Sequence, residues 1–202
     1  LYACNENRLV SLKGFGEKTQ KLIRDSIEFR ISNAHNCLFP IAEFVSEEII
    51  SKIKISLPEI EIFLTGQTRR KCEIITSIEF VSSINESELK LFLSAFELFQ
   101  EEEALFKKEV IEGIEIIKAE VLFQKTIPVI FYLCEKNKLP NLLFITSGSE
   151  KHLEILETNY KLNIEEKFDS EASIYRSMAL PYFIPELREG KFEFDLAQKN
   201  GL

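Results

Sequence analysis

Residues 61–83 read Glu61-Ile-Phe-Leu-Thr-Gly-Gln-Thr-Arg-Arg-Lys-Cys-Glu-Ile-Ile-Thr-Ser-Ile-Glu-Phe-Val-Ser-Ser83, two apolar runs separated by a Gly-x-x-Arg-Arg turn. Residues 60–64 and 74–81 are rich in β-branched and aromatic side chains and short enough to be strands of a buried sheet. Gly66 interrupts that pattern, and a glycine there lets backbone amides face outward. Arg69 and Arg70 add planar guanidinium forks, whose geometry suits phosphate. The stretch reads as a triphosphate cradle set between two strands.

The order of these residues resembles the palm of the X-family, polymerase beta-like DNA polymerases, in which Gly-Ser-x-Arg-Arg precedes Asp-x-Asp on the next strand. Gly66, Arg69 and Arg70 match, while Gln67 stands where the family has a phosphate-binding serine. Three further pieces follow in the family's order. Leu12-Lys-Gly-Phe-Gly-Glu-Lys-Thr19 is similar to the segment preceding the palm in bacterial members. Ser147-Gly-Ser149, with Glu150, Lys151 and His152, echoes Thr-Gly-Ser-Lys-Glu-His, so Gly148 and Ser149 join Gly66, Gln67, Arg69 and Arg70 as phosphate or nucleotide-binding candidates. Ser173-Ile-Tyr175 and Leu180-Pro-Tyr-Phe-Ile-Pro-Glu-Leu-Arg-Glu189 look like the family's thumb. The resemblance spans nearly the whole chain. It implies an α/β (α+β) fold: helical fingers remnant over 1–36, nucleotidyltransferase palm with a mixed sheet flanked by helices over 37–136, and thumb over 137–202.

The palm aspartates of that family fall on Ser77 and Glu79, and the third falls on Ile130 in the apolar run Pro-Val-Ile-Phe-Tyr-Leu-Cys over 128–134. Nucleotidyl transfer on such a palm uses two divalent cations about 3.5–4 Å apart. Mg²⁺ demands oxygen ligands in strict octahedral geometry. Ser77 is neutral, Ile130 is apolar and Glu79 alone keeps a charge, so no catalytic residue, metal site or cofactor is expected. The alternative is an active enzyme in which Glu79 and a relocated carboxylate, from Glu73, Glu120 or Glu135, bind Mg²⁺. The aromatic pair with which the family senses the sugar of an incoming nucleotide is replaced by Ile145 and Thr146. Arg69 and Arg70 then have two readings, phosphate contacts or ion pairs with Glu residues of the fold.

A chain of 202 residues can bury roughly 70% of its unfolded surface, enough for one large domain or two small ones. Its net charge of −8 argues against a strong non-specific nucleic-acid binder, so any DNA contact must be local. No apolar run approaches the ~20 residues of a membrane span and no signal-peptide pattern opens the chain, which suggests a cytoplasmic protein. The absent methionine and abrupt start read as a piece excised from a longer protein. Cys4, Cys37, Cys72 and Cys134 are expected as buried free thiols.

Helical spacing predicts helices over 1–10 and 18–31, the second with Leu22, Ile23, Ile27 and Ile31 on its apolar face. Between them, Gly14-Phe-Gly16 makes a tight turn. In a helix-hairpin-helix unit this turn presents amides to a DNA phosphate, with Lys13, Lys18, Lys21 and Arg24 adding charge around Gly14 and Gly16. In the other reading it only joins two packed helices. Further helices are expected over 38–55 (apolar Ile41, Phe44, Val45, Ile49, Ile53), over 89–99 capped by Ser87 (apolar Leu91, Phe92, Ala95, Phe99), from Lys151 to Tyr160, and over 169–179. Residues 110–125 read as strand around Gly113, Glu101 to Glu103 as a solvated acidic face, His152 as a surface or helix-packing residue, and residues 181–193 as an irregular surface strap.

The leading expectation is an inactive polymerase-like domain that binds or positions gapped or nicked DNA in a larger repair protein; the resemblance also implies a candidate neighbour, a metal-dependent nuclease domain of the kind that follows the Glu-Leu-Arg-Glu tail in bacterial relatives. The alternatives are an active gap-filling, template-directed polymerase and a protein-interaction scaffold without a DNA role.

Overall fold

The computed structural model describes residues 1–99, 104–164 and 166–199. The acidic run Glu101 to Glu103 lies outside the described residues. Two compact units divide the chain, Leu1–Asn36 and Cys37–Leu202.

In the first unit, α1 (Tyr2–Asn5) and α2 (Glu17–Ser32) flank a loop. The helix expected over 1–10 is therefore a single turn. Asn7 adopts a left-handed φ of 54° and breaks it, and the Gln20 side chain ties the loop to α2 through Asn7 Oδ1 at 2.7 Å and the Val10 amide at 3.2 Å. Leu22 and Ile31 were expected on the buried face of α2, yet both are exposed.

The second unit opens with β1 (Cys37–Leu38) and α3 (Phe39–Ser56), whose entry is fixed by Pro40 in the first turn. Then come β2 (Ile62–Thr65), α4 (Gly66–Arg69), β3 (Ile74–Ile75), β4 (Ile78–Ser82) and α5 (Glu86–Ala95). The hairpin β5 (Leu105–Ile111) and β6 (Ile114–Phe123) turns at Gly113, whose φ is +77°. β7 (Ile127–Leu133), α6 (Leu139–Ser147), α7 (Glu150–Tyr160), α8 (Glu171–Ser177) and α9 (Glu193–Gln198) complete the unit.

Five strands form one mixed sheet in the order β2-β4-β7-β6-β5, with β4 and β7 parallel and the other neighbours antiparallel. Alternation along the strands sends Ile78, Phe80, Ala119, Val121, Val129 and Phe131 into a core shared with Ala42, Val45, Ile49 and Ile53 of α3 and Leu89, Phe92 and Leu93 of α5. Phe80 and Phe131 stack at 5.2 Å across the parallel pair. A second core collects Val81, Ile114 and Ile116 with Leu142, Phe144, Leu156, Tyr175, Phe183 and Phe194. The chain has the expected mixed α/β architecture, a mixed sheet flanked by helices.

Several local expectations are corrected. The strand expected over 74–81 is two strands, because Gln67 Oε1 accepts the Thr76 amide at 2.8 Å and hydroxyl at 3.0 Å and bends the chain there. β3 then pairs with β1 rather than with the large sheet. The cap of α5 is Asn85, not Ser87: Asn85 accepts from the Glu88 amide while the Glu88 carboxylate accepts from the Asn85 amide. On α3, Ile41 and Phe44 are exposed and Ala42 takes the buried position. On α5, Leu91 is 72% exposed and Leu89 and Leu93 are buried instead. Of the two readings of His152 the helix-packing one holds, since it is fully buried against Tyr175 and Phe194, and the strap over 181–193 runs partly inside the fold, with Arg188 0% and Glu193 2% exposed. Of the cysteines, Cys4 is buried and Cys37, Cys72 and Cys134 are half-buried, all with free thiols.

Candidate nucleotide cradle and its closure

The cradle begins where β2 ends. Thr65 hands the chain to Gly66, which sits at φ +63° and opens the single turn α4. The buried Thr65 hydroxyl bonds those of Thr146 at 2.7 Å and Ser147 at 3.0 Å, so the end of α6 is tied to the end of β2. Thr146 is thus a hydrogen-bonding contact.

Glu79 and Ile130 are direct register partners on the parallel strands β4 and β7, and Glu120 on β6 is Ile130's partner on the other side. Directly paired residues share a face of a sheet, so these three side chains form a row. Glu79 accepts from Ser77 Oγ at 2.9 Å and from the Tyr132 hydroxyl at 3.2 Å. Burial raises its pKa, opposed by those two hydrogen bonds and by Arg70 and Lys118. Burial and the neighbouring Glu79 also push the Tyr132 phenol well above its ordinary value. Glu120 is engaged by Lys118 at 2.6 Å, which holds its carboxyl below the usual range.

These positions do not fit a pair of Mg²⁺ ions. Ile130 offers no oxygen, both oxygens of Glu79 already accept hydrogen bonds, and Glu120 faces an ammonium. Among the described residues no three His, Cys, Asp or Glu side chains are grouped to hold a metal ion.

The three consecutive cations that close α4 each meet a carboxylate from the C-terminal third of the chain. Arg69 grips Glu171 with two bonds, 2.9 and 2.6 Å, and also donates to Ser147 Oγ. Arg70 Nε donates to Glu189 at 2.6 Å and its Nη1 to the Ser147 carbonyl at 3.1 Å. Lys71, at φ 56°, reaches Glu186 at 2.8 Å. Glu171 is shared, because Arg188 also donates to it from a cage of Tyr175, Tyr182 and Phe144. Burial alone would raise the Glu171 pKa, but Arg69 and Arg188 outweigh it and hold the carboxyl below its ordinary value.

Gly148 and Ser149 lie at the start of α7. Ser149 accepts the His152 amide as its cap and donates its own amide to the Arg188 carbonyl at 3.0 Å, while a Cβ at Gly148 would stand 3.0 Å from Leu153. His152 is held by Glu193 at 2.8 Å and the Tyr175 hydroxyl at 2.9 Å. Burial lowers its pKa against the pull of Glu193. The cradle candidates Gly66, Gln67, Arg69, Arg70, Gly148 and Ser149 thus lie in one unit, each engaged by protein groups.

The DNA candidates lie in the other unit. Gly14, at φ +94°, forms the turn and Gly16 caps α2 in extended conformation, with nothing within 4 Å of a Cβ at either. Lys18, Lys21 and Arg24 follow at three-residue steps on α2, and Lys13 precedes them in the loop. Glu17 in the first turn sets a negative charge beside that row.

Two solved structures of Leishmania infantum polymerase beta superpose on the chain. A ternary P/T complex gives a TM-score of 0.55 at 14% identity, covering 90% of this chain and 96% of that one. A ternary gap complex gives 0.58 at 13% identity, covering 93% and 80%. This is a polymerase beta-like fold. No protein-family model matches the sequence, and no curated protein matches it. Among the described residues no helix is long and apolar enough to cross a membrane.

The carboxylates that engage α4 had no signal in the sequence, since Arg69 and Glu171 are 102 positions apart. Tyr132 did have one: it lies two residues from Ile130 on a strand and must share its face.

Proposed function

We propose that this chain is a polymerase X-like domain that has given up nucleotidyl transfer and binds or positions gapped or nicked DNA in a larger, cytoplasmic DNA-repair protein. The observation that carries the reading is the row Glu79, Ile130, Glu120: an aliphatic side chain stands between two carboxylates that are each held by other groups. Two-metal chemistry requires converging, unengaged oxygens, which this row does not supply. A DNA role is supported by the polymerase beta-like fold and by the basic row Lys18, Lys21 and Arg24 on α2 after the Gly14 turn. A metal-dependent nuclease in the same parent protein would make such a domain a guide for its substrate.

Primer extension on gapped DNA with Mg²⁺ or Mn²⁺ tests the reading. No incorporation is expected. Incorporation abolished by Glu79→Ala would establish the active polymerase instead. Gapped-duplex binding should fall with salt and with Lys18→Glu; binding insensitive to both would favour a scaffold without a DNA role.

A further inference from the structure

Strand β5 is the outermost strand of the large sheet, paired with β6 on one side and, among the described residues, with nothing on the other. It reads Leu-Phe-Lys-Lys-Glu-Val-Ile over 105–111, and Leu105, Lys107, Lys108 and Val110 are exposed. The opposite edge, β2, has only four residues. A long open edge is a template for a further strand.

The hairpin turn fixes which backbone groups of β5 point outward. Glu112 and Gly113 take φ of 47° and 77°, the two left-handed central residues of a type I′ turn, so Ile111 and Ile114 form the closing pair. In a two-residue hairpin that pair exchanges both hydrogen bonds, and such pairs alternate along an antiparallel ladder. The N–H and C=O groups of Leu105, Lys107, Glu109 and Ile111 are therefore turned to β6, and those of Phe106, Lys108 and Val110 away from it. An added antiparallel strand must meet these three with outward-facing groups of its own.

We propose that this strand is β5 of a second copy of the chain, paired antiparallel about a two-fold axis through Lys108. Phe106 then opposes Val110, Lys107 opposes Glu109 and Leu105 opposes Ile111, each pair occurring twice, as an isologous interface requires. The two Lys107–Glu109 pairs fall at non-hydrogen-bonded positions, where side chains approach most closely. Centring the axis on Lys107 would set Lys107 against itself and Leu105 against Glu109; centring it on Glu109 would set Glu109 against itself and Lys107 against Ile111. Charge complementarity thus selects one register. A single like-charge contact remains, Lys108 against Lys108, with Glu115 diagonally across on β6. A strip one strand wide falls below the about 1,200 Å² of a standard interface, so the dissociation constant is expected at about 10–100 μM.

Sedimentation equilibrium of the full chain from about 1 to about 200 μM tests the proposal. Lys107→Glu brings carboxylates face to face across the axis and should weaken association about tenfold; Glu109→Lys should do the same with ammonium groups. Within the chain Lys107 stands opposite Lys118, so Lys107→Glu relieves a like-charge pair there and retains the fold. Combining the two substitutions re-forms the pairs with their signs exchanged and should restore wild-type association, which a misfolded variant would not. Lys108→Thr replaces the like-charge contact with a Thr–Thr pair and should tighten association about threefold. A chain that stays monomeric at the highest concentration, both as wild type and as Lys108→Thr, would overturn the proposal. So would a dimer indifferent to Lys107→Glu or not rescued by the exchange. An edge that instead takes an extended segment of a different protein would leave the purified chain monomeric, which is the first of these results. Association is read without DNA or nucleotide, so its outcome is separate from that of primer extension.

Discussion

The carboxylate of Glu79 lies against the α-carbon of Gly66: a Cβ built at Gly66 would stand 2.8 Å from Glu79 Cδ and 2.9 Å from Oε2. The glycine that opens α4 thus accommodates a side chain of the protein itself. Gly66→Ala is expected to cost about 1–2 kcal/mol from its left-handed backbone alone. Crowding of Glu79 adds to this, so in a double-mutant cycle with Glu79→Ala the two changes should couple by about 1 kcal/mol, measured by urea unfolding. Additive effects would mean that Glu79 swings clear at no cost.

Burial raises the pKa of Glu79, so its ionised form costs stability at neutral pH. Glu79→Gln keeps one oxygen to accept from one of the Ser77 and Tyr132 hydroxyls, offers an N–H to the other, whose oxygen can accept it, and removes the charge. At pH 7 this variant should melt at or above the wild-type temperature, whereas in a metal-dependent enzyme it would also lose activity. A lowered melting temperature would show that the charge is needed for the fold.

Arg69 and Lys71 should behave oppositely. Truncating Arg69 leaves the buried Glu171 with one partner in place of two, and Arg69→Ala should cost about 3 kcal/mol. Lys71→Ala, at a surface pair, should leave the denaturation midpoint unchanged.

Acid should destabilise the fold in two steps. Burial sets the pKa of His152 below its ordinary value, so the unfolded chain binds the proton first and stability falls as pH drops below about 6.5. Glu171, also held low by Arg69 and Arg188 despite its burial, contributes stability that is fully present above about pH 4.3 and is lost as pH falls through its folded value. Urea midpoints followed from pH 7 to pH 3 should show both steps. His152→Gln should remove the first and keep the second.

At the entrance of α5, Asn85→Ala should cost about 1 kcal/mol, because it removes one half of a reciprocal capping box. Ser87→Ala, two residues inside the helix, should cost much less. Equal effects in thermal melts would return the cap to Ser87.

The neighbours of each residue along the chain account for what could be read in advance. The runs flanking Gly66 and the apolar stretch before Cys134 become β2, β4 and β7 because period-two burial needs only local alternation. The break at Thr76 escaped that pattern, since it depends on Gln67 reaching back nine residues to take the Thr76 amide. Ile41 and Phe44 mislead for the same reason: helical spacing identifies an apolar stripe, but which stripe is covered depends on the sheet it meets.

By itself the sequence determined the apolar runs that become β2, β4 and β7, the helices α2, α3, α5, α7 and α8, and the glycine turn with its cations, and it puts no carboxylate at Ser77 or Ile130. Tertiary structure decided what those cations hold. Glu171, Glu186 and Glu189 are more than a hundred positions away along the chain, and an ion pair forms only where folding brings its two partners within a few ångströms, a distance that periodicity and composition do not encode.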